Sequence, residues 1–308
     1  MKRGLGDRPG TSTDTITGVN IGGTNTSVVV GTSTGEVLAR TVWPTQARDG
    51  EALFEAIAHA IAQLAPESRR IGVAVGGPMD ARNGTVISAP HLLGLHGFRL
   101  GPRLRERTGA DVVVHHDAAA CALAEYRWGA ARGARGIAYL TCGTGFGAGI
   151  VIGGEAVYGS RGYSPELGHI RYRDDGPDVF GKPGCFESYG AASALPKLAR
   201  RFDPSFTAAT GAEVAERAAA GDATARRAIE ENAAAAGAAC ALLADLLVLD
   251  VIVLGSLAAY LGEPWLEAVR ARYRAEALSH HAEACIVRAP SRDNIQDLSG
   301  LAAALTPV

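Results

Sequence analysis

Two stretches of this 308-residue chain share one design, and together they restrict the fold more than any other feature. Asn20-Ile21-Gly22-Gly23-Thr24 sits between the β-branched runs Thr15–Asn20 and Ser27–Gly31, and Cys142-Gly143-Thr144-Gly145-Phe146-Gly147 sits between Ile137–Thr141 and Gly149–Ile152. A turn without β-carbons lets backbone N–H groups approach phosphate oxygens to hydrogen-bonding distance, and a threonine hydroxyl adds a donor. Either turn alone is an ordinary hairpin connection, since glycine-rich turns are common. As a pair they describe two similar strand–turn–strand units that can face each other across a cleft and hold a polyphosphate from both sides. Neither is a Walker loop, because the Gly-Lys-Ser/Thr ending is absent, and neither opens a helix as the dinucleotide-binding Gly-x-Gly-x-x-Gly does.

The remaining pattern is α/β. Thr15–Asn20, Ser27–Gly31 and Glu36–Val42 read as an antiparallel meander. Leu53, Ile57, Ile61 and Leu64 give Glu51–Leu64 a helical spacing, and Ile71–Val75 is a short apolar strand ending at Gly76-Gly77-Pro78. A strand at Asp111–Val114 runs through His115-His116-Asp117 into a helix at Ala118–Trp128. Tyr158–Tyr189 is irregular, a length of loop that is uncommon unless it has a function. Helices are expected near Ala191–Phe202, Gly211–Ala219, Asp222–Leu247 and Glu263–Leu278, strands at Val251–Leu254 and Ala284–Val287, and a terminal helix from about Asp297. At about 100–200 residues per domain the length suits two lobes, and the repeated hairpin suggests that one arose by duplication of the other.

Composition removes several classes of function. A net charge of -2 argues against a general nucleic-acid or polyanion binder. Five scattered cysteines, at 121, 142, 185, 240 and 285, make no secreted disulfide framework, so a reducing cytoplasm is expected. Residues 1–14 are polar and glycine-rich, and read as a flexible tail rather than a signal peptide or anchor. The longest apolar stretch, Ala233 to Leu249, contains Asp245 and falls short of the roughly 20 apolar residues of a membrane span. It reads as a core helix.

Two further candidates carry chemistry. Asp117 stands where a strand meets a helix, a place where a carboxylate is often only an N-cap, but also where it can take the proton of a sugar hydroxyl that attacks phosphorus. In the irregular stretch, Glu166, His169, Cys185 and Glu187 bring carboxylates and an imidazole together. Such groups suit sugar hydroxyls or a metal; local ligands are too few for an ordinary metal site, so sugar binding is the better reading.

Taken in order, NIGGT at 20–24, GGPMD at 76–80, HDAAACALAE at 116–125, LTCGTGFGAGIVIGG at 140–154, ELGH at 166–169, GKPGCFE at 181–187 and DVIVLGS at 250–256 resemble the ROK family, the bacterial glucokinase-like sugar kinases of the actin/hexokinase/Hsp70 superfamily. The resemblance runs from about residue 15 to about 305. It implies an α/β, two-lobed actin-like ATPase (ribonuclease H-like) fold with an interlobe cleft. The small lobe would comprise residues 15–117, completed by a C-terminal segment at about 292–308, and the large lobe residues 118–291. It also implies ATP and Mg2+ as cofactor, a sugar substrate, and a cytoplasmic homodimer without nucleic-acid or membrane partners. By the same resemblance Gly22, Gly23, Thr24, Gly143, Thr144 and Gly145 would bind phosphates, and Gly255 and Ser256 the adenosine side. Asp117 would be the base for the 6-hydroxyl. Glu166, His169, Glu187, His116, Gly77 and Pro78 would hold the sugar. A non-catalytic sugar-binding sensor is the alternative, although family regulators carry a DNA-binding helix-turn-helix ahead of the sugar domain.

The chain departs from the family pattern at three places. Asn20 replaces an Asp that helps hold magnesium through water, which removes a charge. His116 replaces the Asn that touches the sugar near its 3-hydroxyl, and His91 also stands where Asn is frequent. An imidazole can accept a hydrogen bond from an ammonium, so a 3-amino sugar such as kanosamine joins glucose as an expected substrate. Finally, the Cys-x-Cys-Gly-x-x-Gly-Cys zinc pattern survives only as Cys185, with His169 beside it, so zinc is not expected, and Phe180 would fill the vacated space.

Overall fold

The computed structural model describes residues 15–179, 181–290 and 294–308. The expected tail at 1–14, the start of the C-terminal segment at 292–293 and the filling role of Phe180 lie outside the described residues.

The β-branched runs form the strands expected of them. β1 (Thr15–Ile21), β2 (Asn25–Thr32) and β3 (Val37–Pro44) pair antiparallel, α1 (Gly50–Leu64) follows, and β4 (Arg70–Val75) joins β1 in parallel. A small hairpin of β5 (Met79–Asp80) and β6 (Thr85–Val86) leads to α2 (Leu100–Thr108) and then β7 (Asp111–His116), parallel to β4. The sheet order is β3-β2-β1-β4-β7. Following α3 (Asp117–Trp128), the pattern repeats with β8 (Gly136–Cys142), β9 (Phe146–Ile152) and β10 (Glu155–Ala156). A second small hairpin, β11 (Asp178–Val179) and β12 (Lys182–Pro183), precedes the helices α4 (Phe186–Gly190), α5 (Leu195–Phe202), α6 (Gly211–Ala219) and α7 (Ala223–Leu247). Then come β13 (Val251–Leu254), α8 (Leu257–Glu276), α9 (Ser279–Ala284), β14 (Ile286–Arg288) and α10 (Ile295–Ala304). The second sheet has the order β10-β9-β8-β13-β14, again an antiparallel trio extended by two parallel strands.

Apolar burial arranges these elements in layers. One face of the first sheet packs through Val19, Ile71, Val73 and Val112 on Leu53, Ile57 and Leu104 of α1 and α2. The outer face of the second sheet packs on α4 to α8 through Leu140, Ala148 and Ile252 against Leu195, Ala236 and Val269. Between the sheets a third cluster joins Ile16 and Val29 to Ile137, Tyr139 and Val253 through Leu123 of α3 and Leu298 and Leu301 of α10. Thus α10 lies on the first sheet and α3 on the second, back to back.

The fit of α10 is set by glycine. A β-carbon on Gly72 of β4 would lie 2.0 Å from the backbone nitrogen of Ala304 and 2.2 Å from the carbonyl oxygen of Gly300, so strand and helix meet backbone to backbone. The expected helix Glu263–Leu278 is present as far as Glu276; α8 is two helical segments, a short one from Leu257 and the expected one, separated at Gly262, whose backbone (φ 70°, ψ -162°) is not helical. Ser279–Ala284, between that helix and the expected strand, forms α9, and the strand expected at Ala284–Val287 is β14 at Ile286–Arg288. No helix of the described residues is long and apolar enough to cross a membrane.

His115 of β7 is buried between the lobes, with Nδ1 2.8 Å from the Tyr158 hydroxyl and Nε2 2.9 Å from the Thr306 carbonyl oxygen. Burial pushes its pKa down to about 4. The folded protein therefore stays unprotonated here while the unfolded chain takes up a proton near the usual imidazole value. The stabilisation is whole above about pH 6.5 and is lost as pH falls toward 4, at about 1.4 kcal/mol per pH unit and about 3 kcal/mol in all. In urea unfolding between pH 7 and 4.5, His115→Gln is expected to flatten the decline in stability by one proton. Parallel wild-type and variant curves would remove His115 as the cause.

Candidate active site

The parallel strands of both sheets end on a common cleft of about 510 Å³, the place where open α/β sheets present ligand-binding groups. Asn20 comes from the end of β1, Gly77 and Pro78 from the segment after β4, His116 and Asp117 from the β7–α3 junction, Gly143, Thr144 and Gly145 from the β8–β9 turn, and Ser256 from the end of β13. Glu166, His169, Cys185 and Glu187 complete one wall.

The two turns expose their amides in similar ways. In the first, Gly22 N–H donates to Asn25 O (3.0 Å) and Gly22 O accepts from the Thr45 hydroxyl (2.7 Å), while the N–H groups of Gly23 and Thr24 have no acceptor among the described residues. In the second, Gly143 O accepts from Ala192 N–H (2.9 Å) and Thr144 O from the Ser193 hydroxyl (2.6 Å). Those carbonyls are held away from the turn's own amides, and Gly143, Thr144 and Gly145 keep their N–H groups unpaired among the described residues. Such a cradle fits the phosphates of a nucleotide.

Asp117 is the first residue of α3, and its Oδ1 accepts from Ala118 N–H at 2.7 Å. His116 Nδ1 lies 3.3 Å from the same oxygen. The first turn of α3 reaches this position because β9 carries Gly149, where a β-carbon would lie 2.0 Å from the Ala118 carbonyl oxygen. Glu187, in the first turn of α4, accepts from Phe146 N–H at 3.0 Å, which ties the second turn to the neighbouring wall. Burial raises its pKa, and the Phe146 bond partly offsets that. Glu166 is oriented by the Ser164 hydroxyl, which donates to Oε1 at 3.0 Å.

Two of the sequence-selected residues are placed elsewhere. Thr24 does not line the cleft; its carbonyl accepts from Thr45 N–H (2.8 Å) at the turn's outer side. Gly255 is buried, with its N–H bound to Leu140 O (2.8 Å), and the Tyr139 hydroxyl would lie 2.2 Å from a β-carbon there, so this glycine serves packing. Its neighbour Ser256 does face the cleft and has a positive φ of 40°, a strained value for serine. The sequence reading missed Ser88, Thr141 and Gln296, which line the cleft, while His91, noted as a departure, also lines it. The Pro-bounded loop after GGPMD was the one available signal for Ser88.

Among the described residues no three His, Cys, Asp or Glu side chains are grouped to hold a metal. Around the buried Cys185, the loop is held by aromatic and ionic contacts. Tyr172 stacks on Phe186 (centroids 5.1 Å apart) and meets Tyr189 edge-on (5.4 Å), and Arg173 covers both tyrosines while pairing with Glu231 at 3.1 Å.

Two lobes with a repeated sheet topology, a cleft between them and paired glycine turns define the actin-like sugar kinase fold. The ROK family profile matches residues 16–307, and the chain belongs to the ROK family. It is 30% identical over 300 residues to a glucokinase of Halalkalibacterium halodurans, with 90% of each chain covered. To a glucokinase of Streptomyces coelicolor it is 35% identical over 190 residues, 60% of this chain and 58% of that one. The ROK family glucokinase of Streptomyces griseus, solved in complex with glucose and AMPPNP, superposes with a TM-score of 0.80 at 30% identity, covering 95% of this chain and 99% of that one. A putative xylose repressor of a Caldicellulosiruptor strain is also among its relatives.

Proposed function

We propose that the protein is an ATP-dependent kinase that phosphorylates the 6-hydroxyl of a hexose or amino-hexose. The observation that carries this reading is the carboxylate of Asp117 at the floor of a cleft edged by two turns with unpaired amides. Gly23, Gly143, Thr144 and Gly145 would receive the phosphates, with Ser256 toward the nucleoside. ATP supplies the phosphoryl group, and its magnesium neutralises phosphate charge. Asp117 takes the proton from the attacking hydroxyl, and the turn amides stabilise charge on the oxygens they bind. Glu166, His169 and Glu187 hold sugar hydroxyls, and closure of the lobes about the β7–α3 junction excludes water.

The lining bears on the substrate class. It contains Asp117, Glu166 and Glu187 but neither lysine nor arginine, so it favours neutral or cationic sugars over acidic ones. Glucose is supported by the named relatives. A 3-amino sugar is supported by His116, which brings an imidazole acceptor beside Asp117. Coupled ADP release over glucose, glucosamine, 3-amino-3-deoxyglucose, N-acetylmannosamine and glucuronate tests this, with turnover expected for at least one neutral or amino sugar and none for glucuronate. If no sugar stimulates ADP release, the kinase reading fails. The second reading, a sugar sensor without transfer, is favoured by Asn20 and by the repressor among the relatives; it predicts sugar binding with no turnover.

Asn20 lines the cleft from the end of β1, near the phosphate turns. Asn20→Asp restores a carboxylate there and is expected to lower the magnesium concentration for half-maximal rate several-fold. An unchanged magnesium titration would take position 20 out of the metal's surroundings.

A further inference from the structure

A second cavity, of about 570 Å³, opens on the first lobe and differs from the cleft in charge. Its lining includes Arg82 from the β5–β6 turn, Arg99 at the N-cap of α2 and Arg105 in the last turn of that helix, with Asn83, Thr85 and Tyr163 beside them. None of the three arginines has a carboxylate partner among the described residues. Arg82 donates to the carbonyl of Ser160 (2.9 Å) and Arg105 to that of Val112 (2.5 Å), both neutral acceptors, and the Arg99 side chain has no partner among the described residues. The other arginines of α2 behave differently: Arg103 pairs with Glu51 and Arg107 with Glu55 of α1. The one carboxylate in the lining, Asp80, is committed to Asn83, accepting from its backbone N–H (3.2 Å) and its side-chain amide (2.6 Å).

We infer that this cavity binds a phosphate monoester of a small polar molecule. Three arginines line one cavity against a single carboxylate, Asp80, which pairs with none of them, and a guanidinium fork matches phosphate oxygens bidentately. The amide of Asn83 and the hydroxyls of Thr85 and Tyr163 supply further hydrogen bonds, and the volume admits a small sugar or polyol carrying the phosphate. The cavity shares two chain segments with the sugar cleft. Thr85 and Ile87 line this cavity and Ser88 and His91 line the cleft, and both Ile87 N–H and Ser88 N–H are bound to Pro78 O (3.0 and 3.1 Å). Tyr163 lines it one residue before Ser164, whose hydroxyl orients Glu166. A ligand held by the arginines therefore grips the same segments that carry cleft residues.

Isothermal titration of inorganic phosphate and of glycerol 3-phosphate into the full chain at constant ionic strength tests the site without relying on the kinase reading. Saturable binding of both is expected, with glycerol 3-phosphate at least as tight as phosphate, and a rise in Kd of at least ten-fold in Arg99→Glu and in Arg82→Glu. Arg99→Glu removes no contact within the fold, so its melting temperature should match the wild type. Absence of saturable binding below 10 mM, on the order of the weakest specific small-ligand affinity, overturns the site. So does binding unchanged in Arg99→Glu, or glycerol 3-phosphate binding more weakly than phosphate.

Discussion

Asp117→Asn is expected to lower kcat by about 10³-fold, the usual contribution of a positioned general base, while leaving the KM for sugar within a few-fold. The split follows from the geometry. An amide keeps the size of the carboxylate and can still meet a sugar hydroxyl, but it cannot take the proton as that oxygen attacks phosphorus. No other carboxylate in the cleft stands at the β7–α3 junction; Glu187 is tied to Phe146 N–H and Glu166 to the Ser164 hydroxyl. Coupled ADP release with the best sugar of the panel measures it. A variant within ten-fold of wild type would assign the proton to another group, and His116, 3.3 Å away, would be the first to examine.

The second large effect is on folding. Gly72→Ala is expected to destabilise the protein by about 3 kcal/mol or more, at or beyond the upper end of overpacking penalties. The added methyl would meet backbone atoms of Ala304 and Gly300 rather than side chains that can rotate away, so α10 must shift as a unit. Gly97→Ala provides the comparison. It has a positive φ of 70° but open space around it, so only the backbone penalty of about 1 kcal/mol applies. Denaturant unfolding of the two variants separates the causes, and equal losses would refute the close-packing account.

Much of the fold was legible because its signals are local. The β-branched runs predict the first antiparallel trio and the β8–β9 hairpin of the second, though not β10, and Asp222, which accepts from Thr224 and Ala225 N–H, marks the start of the long helix α7 at the expected place. The short helical segment of α8 before Gly262 was not legible. It is too short to show a period, and it is fixed by Leu257 and Ala258, which are buried in the same core as Trp265 and Leu266 of the helix after Gly262. In the candidate site, the placement of Asp117 and of the second turn on one cleft was legible from motif and position. Gly255 was misread because a glycine that admits a ligand and a glycine that admits a tyrosine hydroxyl look the same in sequence. The arginine cavity was invisible for a similar reason, since Arg82, Arg99 and Arg105 are brought to one cavity by the β5–β6 hairpin and the two ends of the short helix α2, elements too short to carry a periodic signal.

The position of α10 also bears on how the protein is made. β1, β4 and β7 leave the ribosome long before the helix that covers them, which follows the whole second sheet in the chain. Until it arrives, the face around Gly18 and Gly72 lacks the helix that packs on it in the complete fold. Translation therefore delivers the lobes in sequence, yet the packing of the first is complete only once α10 has been made.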